Sequence, residues 1–332
     1  MAILADAFGG RDSSQKFFLF TSVSPMVIYM AIFSLLPVIW AFLLAFFDYS
    51  AQRTGAGPLG LGGNNPFVGL GNFENMIGGQ SLEADLFRTS LNNTIAFAAL
   101  VLPLNLLLTI PLAVLIEATN KRVKPIFRLI FFLPVVTSSV GVAIMWGFIY
   151  HPQNGLLNGF ILSLDSILPS LGIPAPSRQI WLGNTRLVNG GVPLALICAV
   201  IAYLWQDFGY NTIIFIAALQ GIPETFKEAA RVDGASPLQV FRYVTLPLLR
   251  PTILLTSVLT VISAFQVFDL IQVLTPGGGQ QAQTRVLTID IYENAFRYQR
   301  MGWAAAVSAA LFILVLLITL VQFRLLRSDW EY

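Results

Sequence analysis

Six stretches of this chain run for about twenty residues or more with almost no ionisable side chain, and a helix of that length and character matches the roughly 30 Å hydrocarbon core of a bilayer. They are Phe17 to Phe47, Leu91 to Ile116, Leu129 to Tyr150, Leu187 to Pro223, Pro251 to about Thr275, and Met301 to Phe323. Only Asp207 interrupts the fourth and only Asp269 the fifth. Any one run could be a buried helix of a soluble protein. Six of them leave no material for a polar shell: 56% of the chain is hydrophobic and 11% is charged, against about 25% charged in an ordinary soluble domain. A soluble enzyme, a disordered chain and a nucleic-acid binder are poor readings. One His and one Cys also exclude a His/Cys metal site and a disulfide framework.

The first run is too long for a signal peptide, and no small-residue cleavage site follows at Phe47-Asp48-Tyr49. It reads as a retained span. Lys and Arg placement sets the orientation. With the N-terminus inside, the inner segments hold Arg11, Lys16, Lys121, Arg122, Lys124, Arg128, Lys227, Arg231, Arg242, Arg250, Arg324 and Arg327, twelve of the 19 basic residues. Both termini are therefore expected in the cytoplasm.

The segment after the first span is rich in turn formers, from Thr54-Gly55-Ala56-Gly57-Pro58 to Asn64-Asn65-Pro66. The segment from His151 to Arg186 carries Pro152, Pro169, Pro174 and Pro176 and no visible catalytic group. Residues 1–67 form an N-terminal cytoplasmic segment, first span and Gly-rich outer loop; 68–326 form a core of five spans; 327–332 form a cytoplasmic tail.

Between the fourth and fifth spans, residues 221–248 are unlike a bare connection. Pro223 and Glu224 suit a first helical turn, Gly234 suits a left-handed C-terminal stop, and Ser236-Pro237 restarts a second helix that Pro247 ends or kinks. The expectation is a helix, a sharp turn and another helix: an ordered amphipathic knob at the membrane's inner face.

Glu228-Ala229-Ala230, then Gly234 six residues after the Glu, then Val244-Thr245-Leu246-Pro247, resembles the EAA loop of binding-protein-dependent ABC importer permeases. Asn93-Thr94, Trp146 with Pro152, Gly155 and Asn158, Leu274-Thr275-Pro276-Gly277-Gly278, and Tyr292, Ala295 and Phe296 resemble further stretches of that core. The subgroup it resembles is the sugar-type permease of the maltose and glycerol-phosphate kind; Gly279 departs from a Pro common there. The resemblance covers about residues 68 to 326. It implies an all-α integral membrane protein of six transmembrane helices with a cytoplasmic helix-turn-helix coupling loop, the ABC type I importer permease fold, in a bacterial or archaeal plasma (inner) membrane. It also implies partners: a dimer of cytoplasmic ABC ATPase, a second related permease subunit, an extracytoplasmic binding protein, and lipid, with no nucleic acid. ATP and Mg would be bound by the ATPase and no cofactor by this chain. Glu228, Ala229, Ala230, Asp233, Gly234 and Ala235 would couple to the ATPase. The chain itself lacks a Gly-rich Lys-Ser/Thr phosphate loop.

Ionisable groups within spans usually face the bundle interior or a water-filled cavity. Asp207 lies sixteen residues before Pro223, about 24 Å of helix at 1.5 Å per residue. Tyr203, Asp207 and Tyr210 share a helical face, with Asn211 beside them. Thr260, Ser263, Gln266 and Asp269 recur every three residues in the fifth span, and Thr137, Ser138 and Ser139 mark the third. Such polar stripes with aromatics suit a sugar, whose hydroxyls donate and accept. The resemblance favours Ser139, Tyr203, Asp207, Tyr210 and Thr260 as contacts; Asn211, Ser263 and Gln266 complete the expected pathway. For Ser139 and Thr260 simple helix packing is an equal reading. Asp269, near the outer end, is expected to be solvated or paired with Arg285.

A buried carboxylate repels anions, so Asp207 favours a neutral sugar or oligosaccharide over glycerol 3-phosphate or another charged polyol derivative. A membrane-embedded enzyme is the weaker reading: no span carries paired metal ligands or a Ser-Lys pair, and Asp207 with Asp269 lacks the Gly-rich context of an intramembrane aspartyl protease. A proton-coupled secondary transporter working through Asp207 would have no use for the knob.

Overall fold

The computed structural model describes residues 13–53, 57, 60–164, 177–183, 187–188 and 191–326. Arg11, Arg186 and Arg327, the prolines at 169, 174 and 176, most of Thr54 to Pro58, and the 327–332 tail lie outside the described residues.

Helix α1 (Ser13–Met30) continues through a π turn (Ala31–Leu35) into α2 (Leu36–Leu44). α3 (Gly71–Gly78) precedes the long α4 (Leu82–Ala118). α5 (Lys124–Val136), α6 (Ser139–Ile149) and α7 (Leu156–Ser163) follow, then a two-residue hairpin of β1 (Leu187–Val188) and β2 (Val192–Pro193). α8 (Leu194–Gly221) leads into α9 (Glu224–Val232), and α10 (Pro237–Val240) passes through a π turn into α11 (Leu246–Leu248). The remainder is α12 (Arg250–Phe265), α13 (Asp269–Leu274), α14 (Leu287–Tyr292) and α15 (Met301–Leu326).

Among the described residues, three helical stretches are long and apolar enough to cross a membrane: Phe20–Leu44, Leu82–Ala118 and Met301–Leu326. Counting each bent pair as one span raises the number to five. α8, with 28 residues, reaches about 42 Å at 1.5 Å per residue but falls outside that set. Gln206, Asp207, Tyr210 and Asn211 dilute its middle.

Two expected runs are not single straight helices. Leu129 to Tyr150 divides into α5 and α6, which meet at 96°. Pro134 weakens the ladder there, Thr137 is extended at ψ 137°, and Ser138 caps α6 by accepting from the Gly141 N–H at 3.2 Å. The run from Pro251 stops at Phe265, because Gln266 and Phe268 leave the helical region before α13 begins. The run from Leu187 becomes helical only at Leu194, after the hairpin.

Ser81 starts α4 by accepting from the Ala84 N–H at 3.2 Å, with Glu83 and Asp85 in the first turn, where the helix dipole favours them. Gly209 and Gly302 set close approaches between helices and their neighbours. A Cβ on Gly209 of α8 would strike the Phe131 carbonyl of α5. One on Gly302 of α15 would strike the Phe47 carbonyl, and the Gly302 N–H donates to Tyr49 O at 3.0 Å.

Among the described residues the buried side chains form two apolar clusters. The first contains Phe97, Val101, Leu204, Val261 and Ile271. The second, towards α9, contains Ile110, Ala113, Phe215, Leu219 and Leu249. On α4, α8 and α12 alike, a polar layer of Asn105, Asn211 and Thr260 separates them, each buried. At the end away from α9, α4 holds the 282–287 segment: Asn93 donates to Ala282 O at 3.1 Å and Arg285 O at 3.0 Å, and Thr94 Oγ1 accepts from the Leu287 N–H at 2.9 Å. The span nearest the N-terminus stands almost bare, with 6% of its apolar window buried.

Candidate functional site

Two regions carry the residues singled out above. The first is the knob. α9 is nine residues long and buries none of them. Glu224 in its first turn takes both nearby cations, Lys227 Nζ at 2.9 Å and Arg231 at 3.3 Å. The hydrogen bond from Lys227 holds its carboxyl below the usual carboxylate range. Glu228 enters no salt bridge among the described residues.

The knob's turn is built from backbone bonds. The Gly234 N–H donates to Arg231 O at 3.0 Å and the Ala235 N–H to Ala230 O at 2.9 Å, with Gly234 at φ 82°. That is a Schellman stop, and it needs a residue that tolerates positive φ. Ser236 and Gln239 then close a reciprocal capping box that opens α10. The outcome is that Glu228, Ala229, Asp233 and Gly234 are exposed and Ala230 and Ala235 half-buried. Val232, 87% exposed, and Leu238, 73% exposed, add apolar surface around the turn. Beneath the knob lies a cavity of about 690 Å³ bounded by Glu117, Gln220, Lys227, Arg231 and Phe241.

The second region is a cavity of about 310 Å³ where α6, α8 and the end of α12 converge. Six of the expected pathway residues line it: Ser139, Tyr203, Asp207, Tyr210, Ser263 and Gln266. The helix interruptions make this possible. The α5–α6 bend brings Ser139 to the cavity, and the Thr137 carbonyl it frees accepts from Gln206 Nε2 at 2.8 Å. The stop after Phe265 turns Gln266, Phe268 and Asp269 onto the wall. Tyr203 is fixed by an edge contact with Phe97, ring centroids 5.4 Å apart.

Two expected residues do not line the cavity. Asn211 and Thr260, each 2% exposed, lie behind Asp207. Asn211 Nδ2 donates to Thr260 Oγ1 at 3.0 Å and to Asn105 Oδ1 at 2.8 Å, and Asn105 Nδ2 donates to Asp207 Oδ2 at 2.8 Å. Asn105, Gln206 and Phe268 escaped the sequence reading. A scan for charged groups passes over a neutral Asn in an apolar run, although an amide mid-span is itself a usable signal. Of the two expectations for Asp269, solvation holds, since it is exposed, and pairing with Arg285 does not. Arg285 lies 2.8 Å from Asp290 and bonds Glu293, while Asp269 faces the cavity. The cause is sequence proximity: both carboxylates sit on the turns that begin two residues after Arg285.

A bundle of long apolar helices with a polar-lined cavity, and an exposed helical knob continuing from one of the cavity's own helices, fits a multi-pass membrane permease. The chain belongs to the binding-protein-dependent transport system inner membrane component family, whose model matches residues 109–328. It is 31% identical over 285 residues to the sn-glycerol-3-phosphate transport system permease protein UgpA of Yersinia enterocolitica, covering 86% of this chain and 87% of the relative. It is 28% identical over 308 residues to the lactose transport system permease protein LacF of Rhizobium radiobacter, covering 92% and 93%. Its fold matches a chain of a bacterial ABC transporter involved in import of the acidic polysaccharide alginate, with TM-score 0.74 and 23% identity over 96% of this chain and 98% of that one.

Proposed function

We propose that this chain is the permease subunit of an ATP-driven importer that takes up an uncharged sugar or oligosaccharide handed over by an extracytoplasmic binding protein. The observation that carries this reading is the continuity of α8: its middle lines the cavity through Tyr203, Asp207 and Tyr210, and its end runs through Ile222-Pro223 into the exposed knob. Force applied to the knob therefore reaches the cavity through one helix. Glu228, Ala229, Ala230, Asp233, Gly234 and Ala235 form the coupling surface towards a cytoplasmic ATPase dimer. Ser139, Tyr203, Asp207, Tyr210, Ser263 and Gln266 contact the passing sugar, with Asn211 and Thr260 supporting them from behind.

In the same reading the chain crosses the inner membrane six times with both termini inside. α8 is the crossing that hydropathy alone does not count. The first span is partly separate from the 68–326 core, which it joins at its outer end through Leu44, Ala45 and Tyr49, and a second permease completes the pathway. The lactose relative supports the sugar class. The wall of Asp207 and Asp269, with no cation among the described lining residues, supports an uncharged substrate over a phosphorylated one.

The test is uptake into proteoliposomes holding the full complex, with binding protein outside and ATP within. Sugar accumulation that requires ATP and survives collapse of the proton gradient is the expected result. Accumulation driven by a proton gradient without ATP would refute the reading, and preferred uptake of an anionic substrate would refute the charge argument.

A further inference from the structure

The buried amide behind Asp207 has a polarity that its surroundings dictate. A carboxylate only accepts, so Asn105 must present its Nδ2 to Asp207 Oδ2, at 2.8 Å. Asn105 Oδ1 then has to accept, and it does so from Asn211 Nδ2 at 2.8 Å. The second Asn211 hydrogen goes to Thr260 Oγ1 at 3.0 Å. Both hydrogens of that amide are thus committed, and its 3.5 Å approach to Asp207 is marginal. The Asn211 amide on α8 donates to both α12 and α4, and the branch through Asn105 ends on a single carboxylate oxygen. Among the described residues no donor meets Asp207 Oδ1, and the residue lies on the cavity wall. The donor is neutral, so the carboxylate is oriented without its charge being cancelled. An Arg or Lys in place of Asn105 would orient it equally and remove that charge.

We propose that Asn105 is a positioning residue for the transport pathway: it holds one oxygen of Asp207 so that the other faces the passing substrate, and as a neutral donor it leaves the cavity wall negative. The proposal rests on the reading of this cavity as the pathway. Asn105 is fully buried and touches no substrate itself, so its effect is exerted through Asp207.

The test uses the complete transporter in proteoliposomes and reads sugar uptake and ATP hydrolysis together. Asn105→Leu removes the donor; we expect the sugar moved per ATP to fall about tenfold or more, the scale of one lost hydrogen bond to a charged group, while hydrolysis stimulated by binding protein persists. Asn105→Asp combined with Asp207→Asn restores a donor-acceptor pair with the charge moved off the cavity wall. That double variant should regain the thermal stability that Asn105→Asp alone loses, yet stay about tenfold or more below the unaltered protein in uptake per ATP. Unaltered uptake per ATP in either variant would reduce Asn105 to helix packing and overturn the proposal. So would parallel loss of uptake and hydrolysis, or failure of both variants to assemble. Asp207→Leu, run alongside, separates the two layers: full uptake by that variant removes the cavity from the pathway whatever Asn105 does.

Discussion

Arg285 lies 2.8 Å from Asp290, and the two side chains are 4% and 1% exposed. Glu293, 6% exposed, bonds the same guanidinium, and Asn93 holds the Arg285 carbonyl from α4 at 3.0 Å. This cluster pins the segment between α13 and α15 to the bundle. Removing the cation leaves two carboxylates buried without their main partner. Arg285→Met should therefore cost about 3–5 kcal/mol of stability. A large fall in the unfolding temperature of the detergent-purified protein would be the sign; an unchanged temperature would mean the segment is held by Asn93 and Thr94 alone.

Gly209 is where α8 touches α5 closely enough for a Cβ to meet the Phe131 carbonyl. Gly209→Ala should cost about 1–3 kcal/mol through overpacking, and Gly209→Leu should abolish assembly. Size-exclusion profiles and thermal melts of the two variants would check this, and a normal Leu variant would contradict the packing described.

The coupling surface makes a different kind of prediction. Glu228→Lys reverses an exposed charge, and Gly234→Val forces a branched residue to φ 82°. Each should lose transport while the chain stays inserted in the membrane, and each should copurify less ATPase. Normal uptake and normal ATPase recovery in both would remove these residues from the coupling role.

At Asp207 the two substitutions should separate. Asp207→Asn keeps the shape and one acceptor and should retain part of the uptake; Asp207→Leu should retain about a tenth or less, as expected for loss of a charged hydrogen bond in the pathway. The readout is initial uptake rate with binding protein in excess. Undiminished rates in both variants would argue that the carboxylate is not used.

The crossing number can be tested with single cysteines after replacement of Cys198. Labels at Gln52 and Gln153, both exposed, should react with an impermeant maleimide from outside intact cells. Labels at Arg122 and Leu238 should react only after permeabilisation. Outside labelling of Leu238 would overturn the orientation and the docking argument together.

How much of this was legible beforehand depends on the range of the physics involved. The knob was readable because its signals act over a few residues: Gly234 at positive φ, Ser236 capping with Gln239, Pro237 at the first turn. The polar stripe on α8 was readable because helical periodicity alone places Tyr203, Asp207 and Tyr210 on one face. The bend at Thr137 and the stop after Phe265 were not: Thr137-Ser138-Ser139 and Gln266 to Asp269 are polar enough to mark a pathway, but a window average keeps each run apolar and hydropathy is blind to a change of direction.

The sequence by itself determined that this chain lives in a membrane and carries an ordered helical knob, because hydrocarbon thickness and helix capping are enforced locally. Tertiary structure alone decided which polar groups meet. Asn105 finds Asp207 across 102 positions, and Thr94 finds Leu287 across 193. Such choices follow from how helices pack and where a buried polar atom can still find a partner. No spacing along a single helix contains that information.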